Sequence, residues 1–216
     1  MKFLVFDTET TGLPKRKHAS PEEIYLFPYV VQLSWLVFNS GTNKVEALKD
    51  KIIRLPNNIR IPQKTIDIHG ITNERMLEEG EPVDVVLNSF MRDVSSCTYL
   101  IGHNIAFDKT MVEVECIRNK HKRLSDYRKI SFCTMKRGRN ECRIEKENPF
   151  TKKTEYKYPK LIELHKHLFT TTPKNLHNSL IDVLVCFRCF YALTYNSDPM
   201  ETNPQFARYC RTFCGL

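Results

Sequence analysis

Asp7 and Glu9 stand two residues apart where an apolar run, Lys2 to Glu9, meets Gly12 and Pro14. In a strand, side chains two apart share a face, so both carboxylates point to the same side of a sheet. Two like charges that close either share a proton or hold a divalent cation. Their hard oxygen ligands suit magnesium or manganese better than zinc. Taken alone, the pair is weak evidence, because a D-x-E is expected about once by chance in a chain of this composition. Its surroundings raise its weight: in Phe6-Asp7-Thr8-Glu9-Thr10-Thr11-Gly12-Leu13-Pro14, a hydrophobic strand stops at the carboxylates, and a turn brings bare backbone close to whatever they hold.

Two further segments join a histidine to an aspartate. In His103-Asn104-Ile105-Ala106-Phe107-Asp108, a strand ends at Gly102 and Asp108 falls in the first turn of a helix, a place the helix dipole alone would favour for an acid. In His177-Asn178-Ser179-Leu180-Ile181-Asp182, the histidine lies in the loop or cap before a helix, and Asp182 faces away from the Leu180 and Leu184 stripe by one residue either way. The interval itself carries little, because His121 to Asp126 repeats it among lysines on what reads as solvated surface.

The elements that must position these groups follow from hydrophobic period and breakers. Lys2 to Glu9 reads as a buried strand, and Tyr29 to Phe38 with Lys44 to Leu55 completes an antiparallel meander across Asn39 to Asn43. Short helical turns surround His69-Gly70. Pro82 opens a helix with Val83, Val86, Leu87, Phe90 and Val94 at helical spacing. A strand at Thr98 to Gly102, a helix from about Ala106 to Asn119 and a fifth strand at Ile130 to Cys133 follow. Pro159 opens a further helix, and Ser179 to Tyr195 is the last long one, with Leu180, Leu184, Phe187 and Tyr191 along a stripe. This order predicts an α/β fold with a mixed sheet flanked by helices, sites gathering at its strand ends. The expected organisation is one domain over residues 1–195, then a linker from Asn196 to Pro204 and a short tail to residue 216.

Composition excludes several classes. With 216 residues, 41% hydrophobic and 27% charged, the chain is neither a fibre, a mini-protein nor a low-complexity segment. No signal peptide or membrane span fits, since even Tyr29 to Phe38 is interrupted by Gln32 and Ser34. Eight irregularly spaced cysteines read as reduced thiols, and the expectation is an intracellular protein, cytoplasmic or nuclear rather than secreted. Cys186, Cys189, Cys210 and Cys214 are read as small hydrophobes rather than a zinc site. The net charge of +8 is concentrated in 118–129, net +5, and 136–158, net +4. Localised positive charge fits a polyanion, and solvated loops fit equally well on charge alone. In the second segment, Tyr156 and Tyr158 alternate with Lys157, compatible with base stacking or with a strand-edge hairpin.

The ordered set F-D-T-E-T-T-G-L-P, I-H-G-I-T, G-H-N-I-A-F-D and L-H-N-S-L-I-D resembles the DEDDh group of DnaQ-like 3′→5′ exonucleases over residues 2 to 195. The resemblance implies a ribonuclease H-like three-layer α/β/α fold with a mixed, roughly five-stranded sheet. It also implies phosphodiester hydrolysis with two divalent cations, Mg²⁺ with Mn²⁺ as substitute, about 4 Å apart. By position, Asp7, Glu9 and Asp182 would hold one ion, Asp7 and Asp108 the other, and His177 would be the general base. Thr10 and Leu13 would meet the terminal nucleotide. Phe107 is placed nearby, with ordinary packing preferred to stacking, and His69-Gly70-Ile71-Thr72 would border the substrate groove. The implied substrate is a nucleic acid 3′ end, single-stranded or frayed DNA, with an exoribonuclease or a non-catalytic nucleic-acid-binding module as alternatives. Association with a polymerase is left open, and no membrane is implied. Asp7→Ala is expected to abolish cleavage and leave the fold intact; unchanged turnover would remove the metal assignment.

Overall fold

One strand carries both halves of the core. In the computed structural model, which describes residues 1–216, Lys2–Thr10 (β1) directs Leu4 and Phe6 into one apolar cluster and Phe3 and Val5 into another on the opposite face. Such a strand must lie inside a sheet covered on both sides. It pairs antiparallel with Val30–Asn39 (β2), which pairs antiparallel with Lys44–Ile52 (β3). Three helices follow, Gln63–His69 (α1), Asn73–Glu79 (α2) and Val83–Ser96 (α3). The chain then returns as Tyr99–Gly102 (β4), parallel to β1 on its other side. After Ile105–Arg118 (α4) comes Ile130–Cys133 (β5), parallel to β4, so the five-stranded sheet runs β3-β2-β1-β4-β5.

The remaining elements are Thr134–Cys142 (α5), a small hairpin of Glu145–Glu147 (β6) and Thr154–Tyr156 (β7), and Leu161–Phe169 (α6). Ser179–Tyr195 (α7), Pro199–Thr202 (α8), Pro204–Tyr209 (α9) and a π turn at Cys210–Cys214 complete the chain. One layer, α3 and α4, covers Leu4, Phe6, Leu33 and Trp35 with Val86, Phe90, Met111 and Val112. The other, built on α6, α7 and α9, covers Phe3, Val5, Leu36 and Phe38 with Leu164, Phe187, Phe190 and Phe206. This is the three-layer α/β/α arrangement with a mixed five-stranded sheet. No helix is long and apolar enough to cross a membrane.

The structure departs from the sequence reading in three places. First, α7 is not a one-sided amphipathic helix. It is buried nearly all round, from Ile181 through Phe190, because it lies between the sheet and the helices outside it. Second, the tail is part of the fold. Asn203 caps α9 by accepting from the Phe206 N–H, and its Nδ2 donates to the Asn43 carbonyl. Gln205 exchanges hydrogen bonds with both backbone groups of Val45 on β3, so the C-terminal segment occupies positions on an edge strand that would otherwise be open. Phe206, Cys210 and Cys214 recur at helical spacing and are fully buried in the α7 layer, a signal masked in the sequence by Asn196, Ser197, Pro199 and Pro204. Within the expected linker, Asp198 accepts a two-pronged ion pair from Arg188. Third, the basic 136–158 stretch begins as most of α5, a helix the sequence did not lead us to expect, and continues into the β6–β7 hairpin, one of the two alternatives left open for it. All eight cysteines are free thiols, and Cys186, Cys189, Cys210 and Cys214 pack in the apolar α7 layer.

Phe206→Ala should lower the unfolding free energy in urea by about 3 kcal/mol, the usual cost of emptying a buried phenylalanine site. An unchanged midpoint would mean that the tail contributes nothing to the folded domain.

Candidate active site

The alternation that divides the core also divides the site. Asp7 and Glu9 have the parity of Phe3 and Val5, which places them on the α7 side of β1. Thr8 has the parity of Leu4 and Phe6, on the α4 side. Asp108, in the first turn of α4, is buried on that second side, where its Oδ1 accepts from the Thr8 N–H at 3.1 Å and from Thr8 Oγ1 at 2.8 Å. Asp182, in the first turn of α7, comes from the other layer. Asp7, Glu9 and Asp182 each present a carboxylate oxygen within 4.8 Å of the other two. Asp108 stands outside that group of three but close enough to act on the charge of Asp7.

Local chemistry fixes the start of α7. The Ser179 N–H donates to Gln32 Oε1 and Ser179 Oγ donates to the Asp7 carbonyl, both 3.2 Å or shorter. Asn178 caps the helix by accepting from the Leu180 N–H. Gln32 and Ser34, which oppose Glu9 and Asp7 across the β1–β2 ladder, both donate to Asp50 Oδ1 at 2.7 Å. Gln32 is therefore locked from one side by Asp50 and locks Ser179 with its other amide atom. One helical turn beyond that anchor, Asp182 falls beside Asp7. His177 has a positive φ of 70°, its side chain is exposed, and its backbone N–H donates to Asp182 Oδ2 at 3.2 Å.

Electrostatics dominate this cluster. Burial, then repulsion from Asp108, Asp182 and Glu9, raises Asp7 well above the ordinary carboxylate range. Burial, then Asp182 and Asp108, lifts Glu9 to about 8. Burial lifts Asp108 to about 7 against the opposing hydrogen bonds from Thr8, and lifts Asp182 to about 7 against the His177 N–H. Three oxygens converging within one coordination sphere, with their anionic forms disfavoured, suit a hard divalent cation. The donor set is all oxygen, which fits Mg²⁺ or Mn²⁺ and not a thiolate metal. Two helix N-termini, those of α4 and α7, carry Asp108 and Asp182 in their first turns and add positive potential on this side.

A cleft of about 560 Å³ opens on Asp7, Asp182 and His177, with Met135, Tyr158 and Lys160 on its far wall. His103 holds that wall in place. Its Nε2 donates to the Pro159 carbonyl and its Nδ1 accepts from Thr134, both at 3.0 Å, while burial pushes its pKa down to about 4 and keeps it neutral. Gly138 lets α5 approach, because a Cβ there would stand 2.9 Å from Leu164 Cδ1 and 3.1 Å from Pro159 Cγ.

The remaining expected residues are more dispersed. Leu13 is 78% exposed and lines a separate groove with Tyr25, Tyr29 and Arg118. Thr10 is buried and its hydroxyl donates to the Gly12 carbonyl; Phe107 is partly buried against the α3–α4 core. His69 ends α1 below the strand end. Its Nδ1 accepts from the Ile71 N–H, and Nε2 faces the Thr10 carbonyl without hydrogen-bond geometry. Sequence reasoning passed over Thr8, Gln32, Ser34, Ser179 and the supporting role of His103. The signal for Gln32 and Ser34 was present as two polar residues inside the apolar run Tyr29 to Phe38.

Residues 4–190 match the family model described as exonuclease, of the RNase T type. The chain belongs to this exonuclease family, within the DnaQ-like, ribonuclease H-like superfamily. Its fold is similar to that of Escherichia coli exonuclease I in complex with a dT13 oligonucleotide, with a TM-score of 0.64 and 17% identity over 98% of this chain and 42% of that one. A zinc-bound form of the exonuclease I–single-stranded DNA complex gives 0.64 and 16% over 98% and 43%. A product-bound exonuclease I gives 0.67 and 17% over 98% and 46%. The chain thus spans less than half the length of these solved structures. Comparison with curated proteins returned no match.

Because the folded carboxylates keep protons that the unfolded chain gives up near pH 4, stability of the metal-free protein should fall as pH rises from about 5 to about 8. In EDTA the melting temperature should drop across that range, and the rise in Tm produced by Mn²⁺ or Mg²⁺ should be larger at pH 8 than at pH 6. Equal shifts at both pH values would show that the cations bind elsewhere.

Proposed function

We propose that this chain is a metal-dependent 3′→5′ exonuclease that hydrolyses the terminal phosphodiester of DNA and releases nucleoside 5′-monophosphates. The observation that carries the reading is the convergence of Asp7, Glu9 and Asp182 within 4.8 Å, with Asp108 held by Thr8 on the other side of the same strand and His177 at the rim. Asp7, Glu9 and Asp182 would hold one divalent cation, and Asp7 with Asp108 a second. Bound there, Mg²⁺ or Mn²⁺ supplies charge stabilisation for the attacking and leaving oxygens of an in-line displacement.

The protein groups do the rest. The His177 imidazole, exposed at the cleft and tied through its own backbone N–H to Asp182, accepts the proton of the attacking water. The water oxygen bonds to the phosphorus of the terminal nucleotide, the bond to the 3′ oxygen of the preceding nucleotide breaks, and that oxygen takes a proton from solvent to become the new 3′ hydroxyl. Leu13 offers an exposed apolar surface for the terminal nucleotide. Thr10 shapes the same turn through its bond to the Gly12 carbonyl, and Phe107, partly buried against the α3–α4 core, would lie nearby. DNA is favoured as substrate because several solved structures that share the fold hold single-stranded DNA oligonucleotides.

The test is digestion of 5′-labelled single-stranded DNA, 3′-mismatched duplex and single-stranded RNA with Mg²⁺ or with EDTA. The expected result is a ladder shortening from the 3′ end only with metal, fastest on single-stranded DNA. Faster trimming of RNA would change the substrate assignment. Tight binding with no cleavage of any polymer would make the chain a non-catalytic nucleic-acid-binding module.

A further inference from the structure

The far wall of the cleft carries an aromatic ring and two cations that the hydrolytic machinery leaves unused. Tyr158 is 48% exposed and faces the same space as Asp7, Asp182 and His177. Behind it, the Arg139 guanidinium lies 5.0 Å from the ring centre, and its Nε donates to the Tyr156 carbonyl at 2.6 Å. The ring is therefore held from the rear by a fixed cation, with its other face available. Lys160, two residues on, is exposed on the same wall and makes no ion pair. The Glu163 carboxylate instead takes Lys157 Nζ and the Lys160 backbone N–H.

Of the two basic stretches, only this one adjoins the carboxylates. Arg118 begins the other about 15 Å along α4 from Asp108, at ten residues and 1.5 Å each. Two of its six cations are held in ion pairs, Arg118 with Glu115 and Arg123 with Glu22.

We propose that Tyr158, backed by Arg139, and Lys160 form a subsite for the nucleotide on the 5′ side of the scissile phosphate, Tyr158 stacking on its base and Lys160 meeting a phosphate. This rests on the exonuclease reading above, which seats the terminal nucleotide at Leu13. Leu13 lies in a groove with Tyr29 and Arg118, on the α4 side of the β1 end, whereas Tyr158 lies on the α6–α7 side. A strand that brings its last phosphodiester to the carboxylates must place one nucleotide in each flank. Stacking on an aromatic face suits any base, and so favours a single strand over a paired one.

The experiment measures binding, with Ca²⁺ as the cation, of a 5′-labelled thymidine 12-mer and of thymidine 5′-monophosphate. Tyr158→Ala should weaken the 12-mer about tenfold and the mononucleotide less than twofold, while Tyr158→Phe, which keeps the ring, stays near wild type. Lys160→Glu should weaken the 12-mer several-fold more than Lys44→Glu, a matched reversal of an exposed lysine at the start of the edge strand β3, and flatten the salt dependence. Equal losses for Tyr158→Ala and Tyr158→Phe, equal losses for both ligands, or no difference between the two lysine reversals would overturn the subsite. A chain that shows the expected binding pattern but cuts no strand would overturn the exonuclease reading and leave the subsite standing.

Discussion

Crowding of negative charge at the end of β1 is the constraint around which this molecule is arranged. Four carboxylates from three separate elements approach one another where water is largely displaced, and each is driven toward its neutral form. No isolated strand or helix would choose that arrangement. It persists because the sheet and both helix layers are held by apolar burial on either side, and because hydrogen bonds fix the acids individually: Thr8 holds Asp108, and the His177 N–H holds Asp182. The apolar core thus supports a locally unfavourable site, and a divalent cation would convert the repulsion into attraction.

β1 serves two chemistries with one alternation. Its odd residues run from Phe3 and Val5 to Asp7 and Glu9, and its even residues from Leu4 and Phe6 to Thr8. The change from apolar to polar occurs on both faces within one residue step, where the strand leaves the shelter of the helices. Each face then meets the N-terminus of a different helix, α7 on one side and α4 on the other. The site is consequently assembled by the three-layer architecture itself, and it needs no loop to carry its acids.

Polar groups buried in the sheet set the registration. Gln32 connects Asp50 on β3 to Ser179 on α7, and Ser179 reaches back to the Asp7 carbonyl. A chain of paired buried donors and acceptors of this kind specifies one position of the helix relative to the strand, since a shift would strand several buried polar atoms. On the opposite wall, His103 does the same for the Pro159 segment and, through it, for Tyr158 and Lys160.

Much of this was legible in the residues. The period of the apolar positions placed the five strands and the main helices near their observed limits, because period is a local property, and the ordered acidic motifs, through their resemblance to an exonuclease family, pointed to Asp7, Glu9, Asp108 and Asp182. Less was legible wherever the meaning of a residue depended on a distant partner. Gln32 and Ser34 looked like interruptions of a strand until their partners Asp50 and Ser179 were in place. The apolar spacing of Phe206, Cys210 and Cys214 was too short, and followed Pro199 and Pro204 too closely, to distinguish a docked segment from a tail. The burial of α7 on all sides depended on which elements pack outside it. Sequence by itself determined which groups could do chemistry and on which face of their own element they lie. Only the tertiary structure decided which of them converge, since that follows from long-range packing and the hydrogen bonds that lock it.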